Sequence, residues 1–132
     1  MFTLTVDDHL MIAHSLPDPF FGPAQNLHGA TLPIHASFER PVLDRHGVVM
    51  DIGAAMTMLG EVLEPLRYTN LDEHPAFTGT ITTTEVIVEH IARSLGEAME
   101  RELGAEHGIA ALTVAADEHP RARASYRLDF EG

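Results

Sequence analysis

The chain has 132 residues, of which 45% are hydrophobic, and this length and composition suit a single domain with one hydrophobic core. Its 20 acidic residues against 8 basic residues give a formal net charge of -12 at pH 7, which argues against a nucleic-acid groove or an anionic membrane surface as a partner. The sequence contains neither cysteine nor lysine, which excludes disulfides, thiol nucleophiles and Schiff-base chemistry on a side-chain amine. No apolar stretch approaches the roughly 20 residues of a membrane helix, and we expect one soluble, cytoplasmic domain over residues 1–132.

The first part of the chain predicts two strands. Residues 2–16 are rich in β-branched and large apolar side chains, and strand alternation puts His14 on the same face as Leu10 and Ile12. After a proline-rich loop, residues 31–43 become strand-like again. We expect these two strands to form an antiparallel pair.

Two helices are predicted in the middle of the chain. Asp51 is a suitable N-cap for a helix over residues 52–66, whose apolar side chains recur at helical spacing. A second helix is predicted over residues 82–103, where Thr82 and Glu85 have the spacing of a capping box.

The last part of the chain predicts a strand pair. Residues 109–116 form a compact apolar strand, residues 117–123 a turn, and residues 124–130 a strand with alternating polar and apolar side chains. The element order β-β-α-α-β-β predicts an α+β fold, a four-stranded antiparallel sheet with two helices on one face. Such a layer leaves its sheet edges unprotected, so we expect a homo-oligomer in which other copies cover them.

Two histidines at predicted strand ends are candidate metal ligands. His14 closes the first strand, and His28 follows the proline-rich loop. Neutral imidazole suits zinc, and a catalytic zinc site needs at least three protein ligands, so the pair predicts part of a Zn2+ site. The alternative is a pair of buried or interfacial histidines. His35 is five positions from Ala30, so on a regular strand it faces the other side and is a poor third ligand. The third ligand stays unidentified, and the candidates are a carboxylate, His74 or a residue of a neighbouring protomer.

Four phrases of the chain resemble, in their order and near their spacing, motifs of the 6-pyruvoyl-tetrahydropterin synthase and 6-carboxy-tetrahydropterin synthase family. They are Ala13-His14-Ser15-Leu16 with His28-Gly29-Ala30, Gly47-Val48-Val49-Met50-Asp51-Ile52, Thr82-Thr83-Thr84-Glu85, and Glu118-His119 after Leu112-Thr113-Val114. The resemblance implies the tunnelling fold, in which protomers join into a barrel and commonly form hexamers. It also implies a zinc-dependent enzyme that acts on a pterin between protomers.

The same resemblance implies roles for individual side chains around the metal. Glu118 would anchor the pterin ring, and Glu85, Thr83 and Thr84 would contact the substrate at the start of the second helix. A carboxylate that accepts two parallel N–H bonds from an aminopyrimidinone makes chemical sense. From the residues alone, Glu85 is equally well explained as a helix cap, and Glu118 as a solvated acid on a turn.

The chain departs from the family motifs in the residues of the reaction. The third histidine of the family's His-Gly-His is Ala30 here, and no residue of 22–27 can act as the family's thiol. The family's Asp-His pair resembles Asp72-Glu73-His74 with one residue inserted, so His74 is the candidate acid-base group and Asp72 the residue that fixes its tautomer. The alternative is a surface acidic loop.

The sequence therefore predicts a metal-dependent lyase or isomerase, of the carbon-oxygen lyase type, that acts on a pterin or pterin-like heterocycle. Two other hypotheses remain. One is a non-catalytic protein that binds a pterin-like ligand, and the other is a zinc-free, aldolase-type enzyme of the same fold.

Overall fold

Four strands and two helices form the framework of the chain in a computed structural model, which describes residues 1–130. The elements are β1 (Phe2–His14), β2 (His28–Arg40), α1 (Ile52–Leu63), α2 (Thr84–Leu103), β3 (Ala111–His119) and β4 (Ala122–Asp129). Neither helix is long and apolar enough to cross a membrane within the described residues.

The strands form one antiparallel sheet in the order β1-β2-β3-β4. Pairing of β1 with β2 is continuous from Phe2 opposite Arg40 to His14 opposite His28. Because side chains alternate along a strand, one face of the sheet carries the core residues and packs against both helices. The other face carries mostly polar side chains, and neither α1 nor α2 packs on it within residues 1–130. The predicted α+β architecture is confirmed.

The core lies between the sheet and the two helices. Its largest fully buried side chains come from both layers: Leu10, Ile34, Phe38 and Leu112 from the sheet, and Leu59, Leu63, Ile87, Ile91, Leu95 and Met99 from the helices. Burial of one such side chain contributes about 1.5–3 kcal/mol, so this layer dominates the stability of the fold.

Several element boundaries differ from the sequence prediction, and two of these differences have a direct physical reason. β2 begins at His28, earlier than expected, because its pairing with β1 continues up to His14. α1 ends at Leu63 and continues only as a 3-10 turn over Glu64–Leu66. Pro65 lacks an amide hydrogen and cannot extend the α-helical hydrogen-bond ladder.

The predicted capping box at the start of α2 is wrong. The N-cap is Thr83, whose hydroxyl accepts from the amide of Val86 at 3.3 Å. Thr82 is buried and bonds the ring of His14 instead. The carboxylate of Glu85 therefore has no capping role.

The predicted turn over residues 117–123 is also wrong. β3 extends to His119, and only residues 120–121 separate it from β4. The pairing of the two strands shifts register after Asp117 and leaves Glu118 as the extra residue of a β-bulge. Glu118 thus lies on a strand, not on a solvated turn.

Gly108 allows a close approach that supports the end of β2. It has φ 77, and a Cβ atom there would lie 2.7 Å from Cζ of Arg40, whose guanidinium donates to the carbonyl oxygens of Val42 and His107. We expect Gly108→Ala to lower the free energy of unfolding by about 2–3 kcal/mol, since it adds a displaced guanidinium to the strain of a positive φ.

Gly79→Ala is the matched control, because Gly79 has φ 75 and no atom within 4 Å of its would-be Cβ. It should cost about 1 kcal/mol, the conformational contribution alone. Urea unfolding of both variants measures the difference, and equal losses would show that the Arg40 contact contributes nothing.

Candidate functional site

A cavity of about 380 Å³ opens on the helix-bearing face of the sheet, where the end of β1 and the start of β2 meet the first turn of α2. Its lining includes most of the residues to which the sequence assigned metal or substrate roles: His14, His28, Thr83, Thr84, Glu85 and Glu118. The fold therefore brings together residues from four elements that are far apart in the sequence.

His14 is the buried histidine of the cavity, with 6% of its surface exposed. Its Nδ1 lies 2.9 Å from the carbonyl oxygen of Thr82 and 3.1 Å from the hydroxyl of the same residue. Because a carbonyl oxygen only accepts, Nδ1 carries the proton and Nε2 keeps its lone pair. Burial lowers the pKa of His14 below its ordinary value, against the opposing effects of the Thr82 hydrogen bond and of Asp72, so the neutral ring is favoured.

His28 lies directly opposite His14 in the strand pair. The two ring centroids are 4.6 Å apart, with the edge of one ring towards the other. Nδ1 of His28 lies 2.9 Å from the carbonyl oxygen of Asn26, so this ring also carries its proton on Nδ1. Metal-binding histidines usually donate one ring N–H to a backbone carbonyl or a carboxylate, which leaves the other nitrogen free for the metal.

The donors of one chain fit two positions of a zinc site and do not complete it. The third position of the motif is Ala30, which lines the cavity with a methyl group. Within residues 1–130, no three histidine, cysteine, aspartate or glutamate side chains are grouped closely enough to hold a metal ion. His35 lies on the opposite face of β2, as the alternation predicted, and bonds Asp7 and Asp117 there.

The remaining polar lining is rich in hydrogen-bond acceptors. Glu85 and Glu118 are both exposed to the cavity, and neither carboxylate has a hydrogen bond or an ion pair within the described part of the chain. Thr83 and Thr84 lie at the amino end of α2, where free amides and the helix dipole favour an electronegative group. No arginine belongs to the lining.

Asp72 and His74 do not line this cavity in one chain. The carboxylate of Asp72 accepts from the amide and the hydroxyl of Ser15, at 2.9 Å and 2.6 Å, and so braces the end of β1 next to His14. Nδ1 of His74 accepts from the amide of Ala76, so it is not a donor to a carboxylate. The expectation that Asp72 fixes the tautomer of His74 is therefore corrected, because both groups have other partners.

Two features of this region were missed in the sequence. Thr82, which the sequence predicts as a helix cap, supports the ring of His14 instead, and no sequence pattern indicates this contact. Tyr68 has φ 54 and is 76% exposed, although positive φ is rare for a bulky side chain. With Met11 and Gly29 it lines a second, more apolar cavity of about 460 Å³ at the edge of β1.

Comparison with known proteins assigns the chain to a family. The family model for 6-pyruvoyl tetrahydropterin synthase matches residues 3–129. The chain belongs to the 6-pyruvoyl tetrahydropterin synthase family. The resemblance found in the sequence is thereby confirmed. Among curated proteins, none matches the sequence.

Solved 6-pyruvoyl tetrahydropterin synthases share the fold. The Caenorhabditis elegans protein is 21% identical, with a TM-score of 0.79 over 97% of this chain and 96% of that chain. The Plasmodium vivax protein is 15% identical, with a TM-score of 0.81 over 97% and 98% of the two chains. The Plasmodium falciparum protein is 16% identical, with a TM-score of 0.80 over the same shares. At these identities the likeness shows the fold alone.

The hydrogen bonds of the two site histidines predict their tautomers. We expect His14 and His28, when neutral, to carry the proton on Nδ1, because each Nδ1 faces a carbonyl oxygen. Long-range proton–nitrogen NMR correlations report the tautomer directly.

His107 and His119 are internal controls, since Nδ1 of each accepts from a backbone amide and the proton must lie on Nε2. An Nε2–H tautomer at His14 or His28 would contradict the site geometry and remove that ring as an Nε2 metal ligand.

Proposed function

We propose that the chain binds a pterin or a similar planar nitrogen heterocycle in the cavity and acts on its side chain as a lyase or isomerase. The observation that carries this proposal is the convergence of six separately predicted residues on one cavity. Membership of the 6-pyruvoyl tetrahydropterin synthase family supports a pterin-related lyase.

In this proposal Glu118 anchors the ring. Its carboxylate faces the cavity without a protein partner and would accept two parallel N–H bonds from an aminopyrimidinone. A cavity of about 380 Å³ suits a two-ring heterocycle with a short side chain. Thr83 and Thr84 would bind ring or side-chain oxygens at the helix start, and Glu85 would accept from a hydroxyl.

The charge of the cavity favours a substrate without phosphate groups. Two carboxylates and no arginine line it, and the chain as a whole carries -12. A triphosphate would be repelled unless another copy supplied cations. We therefore propose an uncharged pterin with a hydroxylated side chain as the ligand of a single chain's cavity.

A divalent metal, with zinc as the predicted ion, would be held by Nε2 of His14 and His28 and would polarise a carbonyl or hydroxyl of the substrate. The third donor would come from the substrate or from another copy. His74 stays a proposed acid-base group, which would act in the cavity of a neighbouring copy. This requires a homo-oligomer, for which the family resemblance implies a hexamer.

A second candidate is a pterin-binding protein without turnover. The incomplete set of metal ligands and the positions of Asp72 and His74 outside the cavity favour it. Both candidates share the ring site and differ in whether the side chain reacts. Incubation with neopterin, whose side chain carries hydroxyls, separates them when the products are resolved by chromatography and identified by mass spectrometry, since an isomer differs in retention and a lyase product in mass.

Ring anchoring by Glu118 is tested by pterin binding. We expect Glu118→Gln to weaken the affinity for pterin about 10- to 100-fold, since hydrogen bonds to a charged group contribute about 1.5–3 kcal/mol. The chain contains no tryptophan, so the fluorescence of the pterin can be followed directly.

Glu106→Gln is the control, because it makes the same change of charge at an exposed position outside the cavity lining. It should bind pterin like the parent. Unchanged affinity in Glu118→Gln would reject Glu118 as the anchor, and tighter binding of a neopterin triphosphate than of neopterin would reject the preference for an uncharged ligand.

Zinc retention tests the count of metal ligands. In protein without a histidine tag, we expect the parent to lose zinc on dialysis against a chelator, because two imidazoles make a weak site. Ala30→His should restore the third ligand and hold about one zinc per chain, and adding His14→Ala or His28→Ala to that variant should abolish it. The parent itself would instead hold zinc tightly if another copy completed the site. In that case His14→Ala alone and His28→Ala alone, each made in the parent, would lose the metal.

A further inference from the structure

Four charged side chains from four strands meet on the polar face of the sheet, opposite the cavity. Nδ1 of His35 lies 2.7 Å from a carboxylate oxygen of Asp7, and Nε2 lies 3.0 Å from Oδ2 of Asp117. Nε of Arg123 lies 2.6 Å from Oδ1 of Asp117. These four residues form a cross-sheet cluster in which both oxygens of Asp117 are bound.

The cluster requires a protonated imidazole. A neutral ring has one N–H, whereas both ring nitrogens of His35 face carboxylates, so only the imidazolium can donate to both. The hydrogen bond to Asp117, followed by that to Asp7, raises the pKa of His35 above its ordinary value, against a smaller effect of burial. The same contacts with His35 and Arg123 lower the pKa of Asp117.

Glu118 follows Asp117 directly and has little support of its own. Pairing of β3 with β2 ends at Ala116, and pairing with β4 shifts register after Asp117. Glu118 therefore has no partner in the sheet on either side. The last residue before it that is held by the sheet is Asp117, through its pairing with β4 and through its side chain.

We propose that His35 is a positioning residue for Glu118. With Arg123 it holds Asp117 on the polar face of the sheet, while the next residue, Glu118, lines the cavity on the opposite face. Because a β-bulge interrupts the regular pairing, the hold on Asp117 sets the direction in which the Glu118 side chain leaves the strand. The functional consequence rests on the proposed function, in which Glu118 binds the ring. Contacts on the polar face would thereby determine the position of a side chain on the opposite face.

The proposal predicts that ligand affinity depends on pH through His35. The folded chain favours the protonated ring of His35. The contacts of the cross-sheet cluster are therefore complete below the ordinary histidine pKa and are lost as pH rises through the raised pKa. Asp7 on β1, Asp117 on β3 and Arg123 on β4 are the charged groups of the cluster, and alternation places His9 on the same face of β1. Loss of one ring proton leaves a nitrogen lone pair facing the carboxylate of Asp7 or of Asp117, which weakens the hold of His35 on Asp117.

The test is pterin affinity from about pH 6 to about pH 9 in the parent, His35→Gln and Asp7→Asn. We expect His35→Gln to bind roughly three- to tenfold more weakly at the acid end, as for the loss of one positioning hydrogen bond. Its affinity should also lack the decline that the parent shows at higher pH. Ionisation of the pterin itself changes the affinity of all three proteins equally, so differences between their pH profiles come from the protein.

Asp7→Asn is the matched control, since it removes the carboxylate that does not touch Asp117. It should keep the affinity of the parent at the acid end and move the decline to lower pH. If His35→Gln and the parent have the same affinity and the same pH profile, the positioning role is overturned while ring binding stands.

A measurement without ligand separates this proposal from the proposed function. We expect the backbone NMR order parameter of Glu118 to fall in His35→Gln and in Arg123→Gln, which breaks the same carboxylate contact from β4. If the parent binds no pterin, the proposed function fails. The order parameter alone then decides whether His35 positions Glu118. An unchanged value in both variants would overturn this positioning role.

Discussion

The antiparallel pairing of β1 with β2 is the constraint on which the site depends. Each strand has 13 residues, and the last pair of the ladder is His14 with His28. Because the period of a strand is two, the register that buries Leu10 and Ile34 also directs both imidazoles to the helix-bearing face. A slip of one residue in either strand would turn its histidine to the polar face, so core packing fixes the orientation of the site.

A second link joins α2 to this strand pair. The carbonyl and hydroxyl of Thr82 bind the ring of His14, 68 residues away in the sequence, and the helix starts immediately afterwards. Thr83 then serves as the cap, which brings the amino end of α2 and the free carboxylate of Glu85 to the cavity. One buried threonine thus fixes the tautomer of a histidine and the place where the helix begins.

Alternation and helical spacing predicted the elements of the fold, their order and the face on which His14 lies, because these patterns follow from burial along each element. The errors lie where a distant partner decides the local structure. Thr82 has the spacing of a cap but bonds His14, and Asp117 belongs to a strand because Arg123 pairs with it across the hairpin. The family resemblance indicated the cavity residues. It paired Asp72 with His74, its neighbour in the sequence, whereas the partner of Asp72 is Ser15, which is 57 residues away.

The chemistry of the cavity follows from three features: a neutral imidazole, carboxylates that have no partner among the described residues, and a missing third metal ligand. Burial keeps His14 neutral, so its ring contributes a lone pair and not a positive charge. Glu85 and Glu118 add carboxylates that have no partner among residues 1–130, and Ala30 adds no donor where the family motif has an imidazole. In the proposed function, a cavity that is rich in acceptors, in a chain of net charge -12, would favour ligands with N–H and O–H donors over anions. The aminopyrimidinone edge of a pterin supplies such donors. Under the proposed function, the departures from the family motif would therefore alter the reaction more than they alter recognition of the ring.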